Sequence, residues 1–324
     1  MRRCVPVLWL LGMSLACGCL TPPGSAGTPD GPRLPTASPG AGELSDRPAS
    51  LLPVDDFVYQ LQDIDLAAIG STAYDLVIID YAADGDDETA FTAGQIAALK
   101  TSPGGRKIVL AYMSIGEAED YRFYWKDGWA PGDPAWLDVE NSDWAGNYKV
   151  KYWDPVWQAI VFDYTDRLLD AGFDGAYLDI IDAYAFYEDQ GRATAAQEMA
   201  DLVSTVRAHA RDRDPDFLIL VQNAPELVRM APGYLDSLDG IGQEDIYYGY
   251  EDDDERTPAH VTAELEQDLD RFVEAGKLVL TVDYATTPEH VDDAYSRSRA
   301  KGYVPFCTVR DLDRLIVNSG HEPD

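Results

Sequence analysis

The chain has 324 residues, 46% of them hydrophobic, which is enough for one large core and excludes a wholly disordered polypeptide. Its 58 acidic against 25 basic residues give a formal charge of −33. That balance argues against a nucleic-acid partner, because phosphate binding depends on Lys and Arg, and it suits either a cationic ligand or simple solubility.

At the N-terminus, Arg2 and Arg3 precede an apolar run from Val5 to Ala16 and then small residues and cysteines. This is the layout of an export signal and is too short for a membrane span. Leu15-Ala16-Cys17-Gly18-Cys19 resembles a bacterial lipobox, and Gly18 favours Cys19 over Cys17 as the lipidated residue. Residues 1–19 are therefore expected to be a lipoprotein-type signal. Leu20 carries no inner-membrane retention signal, so the expected address is the outer membrane or cell surface, with the lipid as the sole membrane attachment. An ordinary cleaved signal and secretion form the alternative. Residues 20–50 are rich in Pro, Gly, Ala, Ser and Thr and cannot offset their own ordering entropy, so they read as a tether. Residues 51–324 are left as the folded domain. Of four cysteines only Cys307 falls in it, which precludes an intramolecular disulfide and assigns Cys307 to core packing.

Within that domain, strand-like apolar runs alternate with helical patterns, the order of stacked βα units. The expected strands are Phe57–Gln62, Asp75–Tyr81, Lys107–Ile115, Gly175–Ile181, Phe217–Asn223, Gly240–Asp245, Lys277–Tyr284 and Tyr303–Val309. Tyr148–Trp153 also alternates, but a ninth barrel strand is excluded by the count, and it is assigned to a long loop after the third strand. Asp154-Pro155 supplies an N-cap and a proline at the first helical position, and Gly172 ends the same helix. Ala259–Ala275 and Glu289–Lys301 likewise run into Gly276 and Gly302. The fold class is α/β, a single (β/α)8 barrel. An open doubly wound sheet is the alternative, opposed by the lack of a glycine-rich phosphate loop after the first strand.

A barrel collects the C-terminal ends of its strands at one face. Those ends carry Gln60 and Gln62, Asp80 and Tyr81, Tyr112 and Glu117, Asp179 and Asp182, Asn223, Glu244 and Asp245, Asp283 and Tyr284, and Arg310. Asp179 closes the short apolar strand after Gly172, and Glu244 closes a second of the same build. Two carboxylic acids on strand ends make glycoside hydrolysis the reaction to test. Between the third strand and the next helix lie Tyr121, Tyr124, Trp125, Trp129, Trp136, Trp144, Tyr148, Tyr152, Trp153 and Trp157. Such a cluster suits either a wall for sugar rings or a satellite core beneath the loop, and Trp157 is expected in the core. The run Glu251-Asp252-Asp253-Asp254-Glu255 lacks the glycine and ligand spacing of a calcium loop and reads as a solvated loop. His209, His260, His290 and His321 have no zinc-site spacing, and no GxSxG elbow is present, so neither a metal nor a cofactor is expected.

Leu110–Tyr121 (LAYMSIGEAEDY), Arg122, Trp125, Val150–Trp153 (VKYW), Gly172–Asp179, Gln222-Asn223, Gly240–Asp245 and Val282-Asp283-Tyr284 resemble the motifs of glycoside hydrolase family 114, the endo-α-1,4-polygalactosaminidases. The resemblance runs from about Val54 to Leu315. It implies a (β/α)8 hydrolase cutting α-1,4 linkages in galactosamine-rich polysaccharide, with Asp179 and Glu244 as catalytic acids. Asp179 is expected as nucleophile and Glu244 as general acid/base in a retaining mechanism. Asp80, Glu117, Asp182, Asp245 and Asp283 would meet sugar hydroxyls or ammonium groups, and Gln62, Tyr112 and Asn223 would make neutral hydrogen bonds. Arg122, Trp125, Trp153 and Tyr284 complete the expected substrate-binding set. The alternatives are a lipid-anchored polysaccharide-binding protein without turnover and a hydrolase of another α-linked sugar.

Overall fold

The structure, a computed structural model, describes residues 54–324; the leader, Cys19 and the tether lie outside the described residues. Eight runs of buried residues pair in parallel and in strict sequential order: β1 (Phe57–Gln60), β2 (Leu76–Ile79), β3 (Ile108–Ser114), then β7 (Gly175–Asp179), β8 (Leu218–Gln222), β9 (Gly240–Glu244), β10 (Leu278–Asp283) and β11 (Val304–Cys307). Helices fill the connections: α1 (Leu66–Gly70), α2 (Ala93–Lys100), α3 (Pro155–Ala171), α4 (Ala183–Asp189), α5 (Ala195–Arg213), α6 (Leu227–Met230), α7 (Ala259–Glu274) and α8 (Pro288–Lys301). This is the expected (β/α)8 barrel. Every expected strand is present, with ends shorter by one to a few residues.

The barrel strands are buried on both faces, which explains the apolar runs LVII in β2, LILV in β8 and LVL in β10. The barrel is not laddered all the way round. β11 and β1 lie side by side without a paired register, and the seam is closed by Phe57 against Phe306, ring centroids 5.4 Å apart. Beyond the strands, the Leu312 carbonyl accepts the N–H groups of Leu61 and Gln62 at 2.9 and 3.1 Å, and the Ile316 carbonyl accepts the Tyr74 hydroxyl.

The helix punctuation acts as its chemistry requires. The Asp154 carboxylate accepts the Val156 N–H ahead of Pro155, and Gly172 ends α3 with φ +80°, a left-handed turn in which a Cβ would be strained. Gly302 ends α8 in the same way.

The segment after β3 is more ordered than a loop. β4 (Glu117–Glu119), β5 (Leu137–Glu140) and β6 (Asn147–Val150) form a separate antiparallel sheet in the order β4-β6-β5. The alternation at Tyr148–Trp153 thus belongs partly to a real strand, one that pairs locally instead of joining the barrel. Glu117 lies opposite Lys149 across this sheet, and their side chains meet at 3.2 Å.

Candidate active site

Three neighbouring strands deliver the polar floor of the barrel mouth, and each leaves its strand by the same backbone device. Immediately after β7, β8 and β9 come Ile180 (φ +58°), Asn223 (φ +61°) with Ala224 (φ +53°), and Asp245 (φ +59°). None is glycine, and a β-branched isoleucine in this region is strained by about 1–3 kcal/mol. At Ile180 the turn folds the backbone N–H back onto Asp179, donating to Oδ1 at 2.6 Å. The crowding is tight, since a Cβ on Gly116 would stand 2.1 Å from the Ile180 carbonyl oxygen.

Asp179 also accepts the Tyr112 hydroxyl at Oδ2, 2.8 Å away. Burial, followed by the negative charge of Glu244, pushes its carboxyl well above the usual range, against the pull of the Ile180 N–H and Tyr112 hydroxyl. Glu244 is held from three sides: Gln222 donates to Oε2 at 2.6 Å, Asn223 donates to Oε2 at 2.8 Å, and the Tyr284 hydroxyl donates to Oε1. The Asn223 side-chain oxygen returns to accept the Glu244 N–H at 3.1 Å, so its amide clamps the residue at both ends.

Beneath this floor lies a tier that sequence reading missed. The Tyr59 hydroxyl donates to Gln222 Oε1 at 2.8 Å, which leaves the Gln222 amide nitrogen facing Glu244. Tyr177 meets Tyr59 edge-on at 5.5 Å, and its hydroxyl is buried without a hydrogen-bond partner among the described residues. A Cβ on Gly242 would come within 1.9 Å of that hydroxyl, so only glycine fits there. Tyrosines inside a strand read as ordinary core, and the one available signal was the repeated glycine in Gly240-Ile241-Gly242.

The expected substrate-binding residues divide by what their side chains already do. Tyr112, Asn223 and Tyr284 touch the two acids. Asp182, at the start of α4, is half-buried, and burial lifts it to about 6, opposed by Lys149 and assisted by Glu117. Glu117 is 1% exposed and accepts Asn141 and Lys149 at Oε1, while Oε2 has no hydrogen-bond partner among the described residues and burial raises its carboxyl. Asp245 is bridged to Arg310, yet burial lifts it to about 7.

Others are spent on the scaffold. Arg122 is 3% exposed and donates to Asp80, Glu119 and the Gly85 carbonyl, with its guanidinium 4.9 Å from the Tyr121 ring. Burial holds Asp80 up at about 6 despite this partner. Asp283 accepts the N–H groups of Tyr247 and Tyr248 at 2.6 and 2.9 Å and faces away from solvent. Gln62 is exposed and donates to the Asp311 carbonyl.

The aromatic segment is largely a satellite core. Tyr124, Trp136, Tyr152 and Trp157 are buried, and the Trp157 indole N–H donates to the Ile115 carbonyl at the end of β3. Trp125 is half-buried between Trp129 and Tyr148 and lines a groove of about 620 Å³ against α3, whose lining includes neither Asp179 nor Glu244. Trp153 is capped by the Arg192 guanidinium 3.6 Å from its ring centroid. Trp144 and Tyr121 remain exposed. The acidic run is not merely solvated: Asp254 accepts the N–H groups of Thr286 and Thr287 and the Thr287 hydroxyl, which fastens it to the start of α8. Among the described residues, no group of three or more His, Cys, Asp or Glu is placed to hold a metal ion.

Two carboxyl groups on the floor of a barrel mouth, one pushed upward by burial and the other receiving three side-chain donors, can perform acid and nucleophilic work at a single carbon. The chain belongs to Glycoside-hydrolase family GH114, whose model matches residues 42–322, and is a glycoside hydrolase. It is 41% identical over 253 residues to an uncharacterized protein of Deinococcus radiodurans, covering 78% of this chain and 79% of that one. To an uncharacterized protein of Thermotoga maritima it is 35% identical over 285 residues, covering 84% and 86%. Among solved structures it is similar to the glycoside hydrolase domain of PelA from Pseudomonas aeruginosa, with TM-score 0.63 at 20% identity over 81% of this chain and 98% of that chain. It is also similar to Ega3 of Aspergillus fumigatus, solved in complex with galactosamine, with TM-score 0.61 at 19% identity over 80% and 93%. These likenesses establish the shared barrel fold.

Proposed function

We propose that the protein is an endo-acting hydrolase of α-1,4-linked galactosamine polymer, with Asp179 and Glu244 as its catalytic pair. The observation that carries this reading is that the ends of β7 and β9 each present a hydrogen-bonded carboxyl at the barrel mouth, Asp179 held by Tyr112 and the Ile180 N–H and Glu244 by Gln222, Asn223 and Tyr284. The polymer is suggested by family membership and by the galactosamine in the Ega3 structure. The charge of −33 would draw a partly deacetylated, cationic chain toward the mouth, where Asp182 and Asp245 are half-buried acids that an ammonium group would meet. The polymer is the only partner the reading requires, with no cofactor. Export and a lipid on Cys19 would hold the enzyme at the outer membrane or cell surface, and a cleaved signal would release it.

In the retaining order, an Asp179 oxygen attacks the anomeric carbon while Glu244 gives its proton to the departing glycosidic oxygen. Glu244 then takes a proton from water, whose oxygen displaces Asp179 from the same carbon. In this order Asp179 acts ionised, against the burial and the Glu244 charge that push its carboxyl upward. A second reading exchanges the roles. It is favoured by the three side-chain donors converging on Glu244, an arrangement suited to a resting carboxylate.

The test is product release from purified α-1,4-galactosamine polymer, with and without acetyl groups, by the parent, D179N and E244Q. Oligosaccharides from the parent and none from either variant are expected. An inert parent that still binds the polymer points to a binding protein, and one that neither cuts nor binds points to another sugar. Azide separates the roles: D179A yielding a β-glycosyl azide and E244A an α-glycosyl azide identifies Asp179 as the nucleophile, and the opposite pattern supports the exchanged reading.

A further inference from the structure

Arg310 lies three residues beyond β11, outside every role assigned above, and all three of its guanidinium nitrogens are committed. Nη2 donates to Asp245 Oδ1 at 3.1 Å and to the Gly249 carbonyl at 2.7 Å, Nη1 approaches Asp245 Oδ2 at 3.4 Å, and Nε donates to Asp253 Oδ1 at 2.8 Å. The guanidinium carbon sits 4.0 Å from the centroid of the Tyr284 ring, the same ring whose hydroxyl donates to Glu244. The packing leaves no slack, because a Cβ on Gly249 (φ +115°) would stand 2.2 Å from Asp245 Oδ1, 3.1 Å from Tyr284 Cβ and 3.2 Å from Arg310 Nη2.

The outer end of this assembly is the acidic run. Asp254 is fastened to the backbone of Thr286 and Thr287 and approaches His290 Nδ1 at 3.1 Å, so its neighbour Asp253 is presented to Arg310 from a fixed loop.

We propose that Arg310 is a positioning residue for catalysis: gripped by Asp245, Asp253 and the Gly249 carbonyl, its flat guanidinium pins the Tyr284 ring so that the phenol stays on Glu244. The inference rests on the hydrolase reading, because it gives Glu244 a task that a misplaced phenol would impair. A lysine at the same position keeps the charge but has neither the planar face nor the fork that reaches three partners at once.

The experiment is a double-mutant cycle of Y284F and R310K on the α-1,4-galactosamine polymer, with kcat and KM read separately. A hydrogen bond to a charged group sets the scale, so Y284F is expected to lower kcat about 10- to 100-fold and R310K about 10-fold, with KM within about twofold of the parent. In the Y284F background, R310K is expected to cost about twofold or less, since no hydroxyl is left to place. An equal R310K loss in both backgrounds, or a loss confined to KM, overturns the proposal. Should R310K fail to fold, D253N weakens the exposed end of the grip, and the same cycle is read on a smaller scale. A parent that does not cut the polymer refutes the galactosamine-polymer reading and leaves the clamp to be decided by proton NMR. There, the downfield hydroxyl resonance lost in Y284F should also be lost or broadened in R310K, and an unchanged resonance in R310K overturns the clamp.

Discussion

Replacing Gly242 by alanine should damage the enzyme from beneath. The new methyl would lie 1.9 Å from the Tyr177 hydroxyl oxygen and 2.8 Å from the ring carbon bearing it, so the ring must retreat by about 1.5 Å to regain an ordinary 3.4 Å contact. Tyr177 is fully buried and packs edge-on against Tyr59, whose phenol orients the amide that Gln222 gives to Glu244. Overpacking of this kind costs about 1–3 kcal/mol of stability. Losing the charge-assisted Gln222 hydrogen bond would cost a further 1.5–3 kcal/mol or so at the acid, about 10- to 100-fold in kcat. Thermal unfolding and polymer cleavage measure the two parts. Because the Tyr177 hydroxyl has no hydrogen-bond partner among the described residues, and its removal cuts the required retreat to about 0.6 Å at the ring carbon, G242A/Y177F should recover part of both losses. A G242A protein as stable and as fast as the parent would refute the argument, as would a double variant no better than the single.

Two other outcomes follow from the buried charges. R122M strands Asp80 and Glu119 without their cation, which should cost about 3–5 kcal/mol and lower the unfolding midpoint by about 6–20 °C while KM changes little. A raised KM at an unchanged midpoint would instead put Arg122 on the substrate. Stability should also fall as pH rises from about 4 to 8. Burial holds Asp80 and Asp182 at about 6 and Asp245 and Asp283 at about 7, so the folded chain binds these protons more tightly than the unfolded one and loses that advantage as pH rises through those values. Asp254, lowered to about 2 chiefly by its Thr287 and Thr286 hydrogen bonds against a burial penalty, has the opposite sign: its contribution is present above about 4 and is lost as pH falls through about 2. A midpoint that climbs between pH 5 and 8 would refute the assignment.

The barrel was legible because its signals are local. An apolar run bounded by Asp-Pro on one helix and Gly172 at its end needs no tertiary partner to be read, and Asp179 and Glu244 stand out because a carboxyl on a buried strand is costly without a purpose. The second tier was not legible. Tyr59 and Tyr177 occupy positions where any large side chain would read as core, and whether a phenol supports an acid depends on which strand lies beside it. The tryptophans show the same limit: composition announced a cluster, yet which of them turn inward is decided by β5 and β6, whose pairing spans a bulge. Charge counting failed at Asp254 for a related reason, because its worth lies in two N–H groups more than thirty residues away.

The unladdered seam between β1 and β11 gives the cylinder a mechanical weak line. The six barrel strands between them have hydrogen-bonded neighbours on both sides, whereas β1 is laddered only to β2 and β11 only to β10, and β11 is further held by Phe306, the Leu312 carbonyl and the Asn318 side chain, which donates to the Cys307 carbonyl at 3.0 Å. Tension applied from the C-terminal side would break these point attachments one at a time, as a flap lifts, before it loaded any ladder in shear. Arg310 sits on that flap. The guanidinium that stacks on the Tyr284 ring is thus carried by the least-laddered edge of the cylinder and not by its continuous wall.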